Sequence, residues 1–199
     1  MIYQNDKVLI RPMQKDDFTP EYVAIFCDEK VTAHNSHGLF RYQRPEVLQD
    51  YSKIMWAIDD VGTQHVMDPN NPSKYDPFLD VIIGSCCLQS IDWVNRSAEF
   101  AIILSSKHHG KGIGTQCLRW LLYHAFIRLG LNRVWSGTSR ENVGMFRVFE
   151  KCGMMAEGTF RQGMWNRGRF VDVLCFGILA KDYGCPCYST KLEEEETPK

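Results

Sequence analysis

Strong net charge is missing from this sequence. The 199 residues hold 23 Lys and Arg against 24 Asp and Glu, a formal net charge of −1. That balance argues against nucleic acid or an anionic lipid surface as the partner, although a local basic patch is compatible with it. Long apolar runs are missing too. The opening, MIYQNDKVLIRPM, carries charge early, so neither a signal peptide nor a membrane span is read. Metal spacing is missing among the eight cysteines. Cys86 and Cys87 are adjacent, and Cys185 and Cys187 flank Pro186, so neither pair has a zinc-site pattern. They read as free thiols in a reducing cytoplasm, with no metal. No internal repeat and no low-complexity segment occurs before the tail, where Glu193 to Glu196 stand in a row.

What is present is an ordinary globular pattern, 44% hydrophobic and 24% charged. Strands are expected at Val8 to Arg11, His65 to Met67, Val81 to Ile91, Ala98 to Leu104 and Arg133 to Thr138. Two more are expected near Met155 to Phe160 and Phe170 to Leu179, joined at Asn166-Arg167-Gly168. Helices are expected at Asp16 to Asp28, Pro45 to Asp59, Cys117 to Leu129 and Asn142 to Cys152. Thr32 to Tyr42 and Asp68 to Pro77 read as loops. The mixture is α/β or α+β in one domain, 1–183, with 184–199 as an acidic tail.

One stretch carries chemistry: Lys107 to Leu118, KHHGKGIGTQCL. Glycines stand at 110, 112 and 114, between an apolar run and an amphipathic one. A strand, a glycine turn and a helix make an anion site, because the first helical N–H groups have no internal partner and the helix dipole favours negative charge. Lys111 and Thr115 add a charge and a hydroxyl. The Walker ending Gly-Lys-Ser/Thr is absent, and the dinucleotide pattern GxGxxG fails by one residue. His109-Gly110-Lys111-Gly112-Ile113-Gly114 matches the acyl-CoA loop Q/R-x-x-G-x-G/A of the GNAT acyltransferases, apart from histidine in the first place. A plain flexible turn is the competing reading of the glycines alone.

The surroundings extend that resemblance. NRSAEFAIILSSKHHGKGIG, then SRENVGMFRVFEKCGMMAEG, then GMWNRGRFVDVLCFGIL resembles the GNAT superfamily from about Val8 to Tyr183. The subgroup it is similar to contains the ribosomal-protein N-terminal acetyltransferases and the spermidine acetyltransferases. The resemblance implies a mixed, mostly antiparallel twisted sheet flanked by helices. It implies acetyl-CoA as cofactor, with Ile102, Ile103 and Leu104 offering backbone groups to the pantetheine arm. His109, Gly110, Lys111, Gly112, Ile113, Gly114 and Thr115 would hold the pyrophosphate, and Asn142 would face the arm by its amide. Phe149 stands where many members carry a tyrosine near the thiol. It has no proton to give, so the thiolate leaves unaided or another group serves, with Ser139, Cys152 and Tyr123 nearby in sequence.

Acyl transfer to an amine needs a base, since amines are mostly protonated at neutral pH. Glu99, pointing opposite to Phe100 on the strand before the loop, is the candidate, with His108 or His109 as alternatives. His34 and His37 lie in a loop expected to flank the acceptor. Asp28, Glu29, Asp59 and Asp60 could draw in a cation, and Trp56, Trp93, Trp135 and Trp165 could wall a pocket. The acceptor is then an amine on a small molecule or a protein N-terminus, and a homodimer is compatible with the resemblance. Two rivals remain: a non-catalytic acyl-CoA-binding module, and an enzyme acting on an amine carried by nucleic acid.

Overall fold

The computed structural model describes residues 3–4, 8–13, 17, 19–33, 54–60 and 82–184. Among them one sheet of eight strands runs in the order β1-β2-β3-β4-β5-β6-β8-β7. The strands are β1 (Tyr3–Gln4), β2 (Val8–Pro12), β3 (Ile54–Asp60), β4 (Ile82–Asp92), β5 (Ser97–Leu104), β6 (Arg133–Ser139), β7 (Met155–Asn166) and β8 (Arg169–Leu179). Every neighbouring pair is antiparallel except β5 and β6, which run parallel. A parallel pair needs a crossover, and α3 (Ile113–Tyr123) supplies it. The mixed sheet and flanking helices are those expected.

The expected helix Pro45 to Asp59 is corrected at its C-terminal end. Ile54–Asp60 is a strand, paired with both β2 and β4. Ile-Met-Trp-Ala-Ile is a short apolar run rich in β-branched and aromatic residues, which a strand with partners on both sides suits better than a helix. Residues 45–53 lie outside the described set, as do His34, His37, the expected strand His65 to Met67, the loop Asp68 to Pro77, and 185–199.

The first helix is shorter than expected. α1 spans Pro20–Cys27, and Thr19 caps it by accepting the Tyr22 N–H on its hydroxyl at 3.2 Å. Asp17 stays outside and holds Arg11 through two hydrogen bonds of 2.7 and 2.8 Å. Asp28 then caps α2 (Glu29–Thr32). The expected helix Cys117 to Leu129 begins earlier, at Ile113, and changes character at His124–Arg128, a π-helical turn. Gly130, at φ +64°, ends it, and the Leu131 N–H returns to the Ala125 carbonyl at 2.9 Å.

Side-chain alternation along β5 sorts the two faces of the sheet. Ala98, Phe100, Ile102 and Leu104 join the main core, with α3 and α4 (Val143–Lys151) over them. Ile103 instead packs on Tyr22 of α1 on the other face. Glu99 shares the Ile103 face, opposite to Phe100 as expected. No described helix is long and apolar enough to cross a membrane.

Candidate functional site

The central feature is a gap between β5 and β6. Their ladder holds three pairs, Ser97–Arg133, Ala98–Val134 and Glu99–Trp135. Beyond these β5 continues to Leu104 and β6 to Ser139 without pairing. Ser136 donates its hydroxyl to the Phe100 carbonyl at 2.9 Å, so Phe100 turns its backbone groups toward β6. The Ser105 N–H goes the other way, to Ile83 on β4. By alternation, Ile102 and the Leu104 N–H face the gap, whereas the Ile103 backbone faces β4. Of the three residues expected to offer backbone groups to an extended arm, Ile102 and Leu104 are placed for it and Ile103 is turned away.

At the wide end of the gap lies the N-terminus of α3. Gly112 caps it at φ +82° and Gly110 precedes it at φ +75°, both in the left-handed region where a side chain strains the backbone. A Cβ on either would meet nothing within 4 Å, so both border open space. Gly114 differs: a Cβ there would touch Val148 Cγ2 at 3.5 Å, so its bareness serves the α3–α4 packing. The first intrahelical bond runs from the Gln116 N–H to the Gly112 carbonyl. The N–H groups of Ile113, Gly114 and Thr115 are thus left for an external acceptor, with no acid in the first turn and Lys111 exposed beside them. These residues fit a pyrophosphate.

His109 is placed differently from a plain phosphate donor. Its Nε2 lies 2.9 Å from the Leu104 carbonyl. A carbonyl only accepts, so Nε2 carries a proton, and Nδ1 can donate to a phosphate only in the imidazolium. Asn142 is the cap of α4: its Oδ1 accepts the Met145 N–H at 3.1 Å and its Nδ2 donates to Thr138 Oγ1 at 3.0 Å. One Nδ2 hydrogen remains for a ligand. Phe149 is fully buried against Phe176, ring centroids 4.9 Å apart, and is part of the core. Among the candidates for the missing acid, Ser139 accepts the Glu141 N–H at 3.2 Å, and Tyr123 is exposed on the last turn of α3. Cys152 lies 3.7 Å from the Thr115 carbonyl, with its thiol held above the usual value by burial.

Glu99 is half-buried at the vertex, paired with Trp135 on β6 and Gln89 on β4. Its Oε2 receives the Ser90 hydroxyl at 3.4 Å. The α1–α2 corner spans the open end on this face. Asp28 accepts from Ser106, which precedes the glycine loop, and this bond with the Lys30 N–H holds the Asp28 carboxyl below the usual range. The other side is tied by Asn166 Nδ2 to the Ala33 carbonyl at 2.5 Å and by Arg167 to the Glu29 carbonyl at 3.2 Å. Trp93 and Trp165 are exposed, and the side chains of Trp56, Asp59 and Asp60 lie outside those the structure describes. Ser136, Thr138 and Ser106, which shape the gap and its corner, had no signal of their own, because isolated hydroxyls acquire partners only in the fold. Among the described residues no cluster could hold a metal ion.

The model of the family described as Acetyltransferase (GNAT) domain matches residues 7–155. Spermidine N(1)-acetyltransferase of Vibrio cholerae serotype O1 is 32% identical over 153 residues, covering 75% of this chain and 85% of that protein. The putative ribosomal N-acetyltransferase YdaF of Bacillus subtilis (strain 168) is 32% identical over 173 residues, 75% of this chain and 94% of that protein. A solved structure of the spermidine N-acetyltransferase from Vibrio cholerae in complex with CoA and spermine superposes with a TM-score of 0.66 at 21% identity, over 90% of this chain and 99% of that one. The chain belongs to the GNAT acetyltransferases, acetyl-CoA-dependent enzymes that acetylate amines.

Proposed function

We propose that the acceptor is a primary amine on a small cationic molecule, and that Glu99 is the base that readies it. The observation carrying this reading is the position of the Glu99 carboxylate, half-buried at the vertex where β5 and β6 separate, on the face opposite to α3. Two spermidine acetyltransferase relatives, from Vibrio cholerae and Escherichia coli (strain K12), support the acceptor class. A protein N-terminus is the second class, favoured by the YdaF relative.

In this reading Ile113, Gly114 and Thr115 give N–H groups to the pyrophosphate, with Gly110 and Gly112 leaving it room and Lys111 adding charge. His109, held by its Nε2 at the Leu104 carbonyl, flanks them, and the free Nδ2 hydrogen of Asn142 serves the pantetheine arm. Ile102 and Leu104 serve it as an added strand would, and Ile103 supports them from the β4 side. Bound acetyl-CoA supplies a thioester carbonyl. Glu99 takes a proton from the acceptor ammonium, directly or through water, and the amine nitrogen attacks that carbonyl. The Ile102 N–H, facing the gap, stabilises the developing oxyanion. Phe149 has no proton to give, so the group would leave as a thiolate, its pKa near 8.5 making this feasible, and the second proton of the attacking nitrogen would pass through water to that thiolate.

Residues 1–183 form the enzyme and 184–199 a tail with no catalytic part. The free cysteines Cys86, Cys87, Cys117, Cys152 and Cys175 suit a reducing cytoplasm. The exposed Trp165–Phe170 pair, 4.7 Å apart at the β7–β8 tip, supports self-association as a homodimer.

The test measures CoA release with acetyl-CoA and a panel holding spermidine, simple diamines and N-terminal peptides. Glu99→Gln should lower kcat by roughly 10²-fold, the scale of general base catalysis, with unchanged acetyl-CoA affinity. Turnover with peptides and none with any small amine would overturn the acceptor class.

A further inference from the structure

On the α1 face, β6, β8 and β7 form a trough of about 390 Å³ that no described residue covers, lined by Arg133, Trp135, Glu157, Gly158, Thr159, Phe160 and Cys175. Its shape follows from the ladder. Cys175 lies across from Gly137 on β6 and from Gly158 on β7; Val173 takes the space over Gly137, whereas the space over Gly158 is open. A third glycine, Gly177, lies next to the Glu157 carboxylate, and a Cβ there would sit 2.5 Å from both of its oxygens. That space lets Glu157 reach back to Arg133 in a two-pronged ion pair. One end of the trough meets Trp135, the ladder partner of Glu99. The other end meets Phe160, which is 63% exposed although it belongs to a strand.

We infer that this trough is the subsite for the aliphatic arm of the acceptor, taking a linear, cationic alkylamine whose reacting nitrogen lies at Glu99. The proposal rests on the amine-acceptor reading above. Its physical logic is a balance of charge and apolar surface. Arg133 and Glu157 neutralise each other, and no described cation pairs with Glu99, so the carboxylate in excess lies at the vertex. Trp135, beside Glu99 in the ladder, also lines the trough, and the Cys175 thiol on its floor is held above its usual value by burial and by the charges of Glu157 and Glu99. Methylenes would lie over Gly158, where a Cβ would meet nothing within 4 Å, and a distal ammonium would find the π face of Phe160. The volume is at the lower end of the roughly 300–1,000 Å³ of small-molecule pockets, which suits a thin chain.

The test uses Cys175 as its reporter. The full chain with desulfo-CoA bound, which has no thiol of its own, is alkylated by N-ethylmaleimide, and modification at Cys175 is followed by mass spectrometry with and without spermidine at matched ionic strength. Saturating spermidine should slow labelling at Cys175 at least fivefold. Phe160→Ala, an exposed change that leaves the fold intact by circular dichroism, should raise KM for spermidine about tenfold with kcat within twofold, and Phe160→Tyr should restore it. Unchanged labelling, or an unchanged KM in Phe160→Ala, overturns the subsite. Turnover of spermidine without protection of Cys175 removes the subsite and keeps the acceptor class. Protection without turnover keeps the subsite and removes the acceptor class.

Discussion

Ser136 holds Phe100: its buried hydroxyl donates to the Phe100 carbonyl at 2.9 Å, one residue past the last ladder pair between β5 and β6. The bond keeps the strands together at the vertex while leaving them apart beyond it. Ser136→Ala strands a buried carbonyl, at a cost of about 1–3 kcal/mol. Urea unfolding should read that loss. Acetyl-CoA titration should read a weaker Kd by several-fold, because the gap loses its fixed width.

The glycines of the loop should separate by role. Gly112→Glu puts negative charge and a side chain at φ +82° beside open space. Acetyl-CoA affinity should fall at least tenfold by calorimetry while the circular dichroism spectrum is kept. Gly114→Leu acts elsewhere, driving a side chain against Val148 and Ile102. Overpacking of that kind costs about 1–3 kcal/mol, so thermal melts should register it first.

Asn142→Ala removes the α4 cap and the bond to Thr138. Loss of a cap costs about 1 kcal/mol. Asn142→Asp keeps the cap oxygen and should recover most of the melting temperature. If both variants melt like the parent, α4 does not depend on this cap.

The Arg133–Glu157 pair sets an acid limb. The Arg133 hydrogen bonds hold the Glu157 carboxyl below its usual 4.5. The unfolded chain therefore binds this proton more readily than the folded one. The stabilisation is complete above about pH 4.5 and is lost as pH falls through the lower folded value. Both side chains are about one-third exposed, so the pair is worth about 0.5–1 kcal/mol after screening. Glu157→Gln should flatten that part of the stability curve measured by denaturant melts between about pH 5 and 3, and 1 M salt should shrink the difference.

Sequence and tertiary structure divided the work by range. The glycine loop, the strand before it and the helix after it were legible because their signals lie within one short stretch. Glycines mark positive φ, and apolar periodicity marks a buried face. The orientation of Glu99 followed from alternation along β5. Ile54–Asp60 escaped because a five-residue apolar run lacks a distinguishing period, and only pairing with β2 and β4 makes it a strand. The Asn142 side chain also caps α4 through its Oδ1, a role beside the one expected of its amide, since a cap becomes evident only once the helix start is placed.

The sequence by itself determined the family, the glycine turn that opens α3 and the carboxylate on the strand before it, because each depends on neighbours in the chain. Only the tertiary structure decided that β5 and β6 part after Glu99 and Trp135, that Phe149 belongs to the core, and that Cys175 floors a trough between two glycines. Those outcomes depend on which distant strands come to lie side by side, and ladder register, unlike periodicity, is a property of pairs of segments.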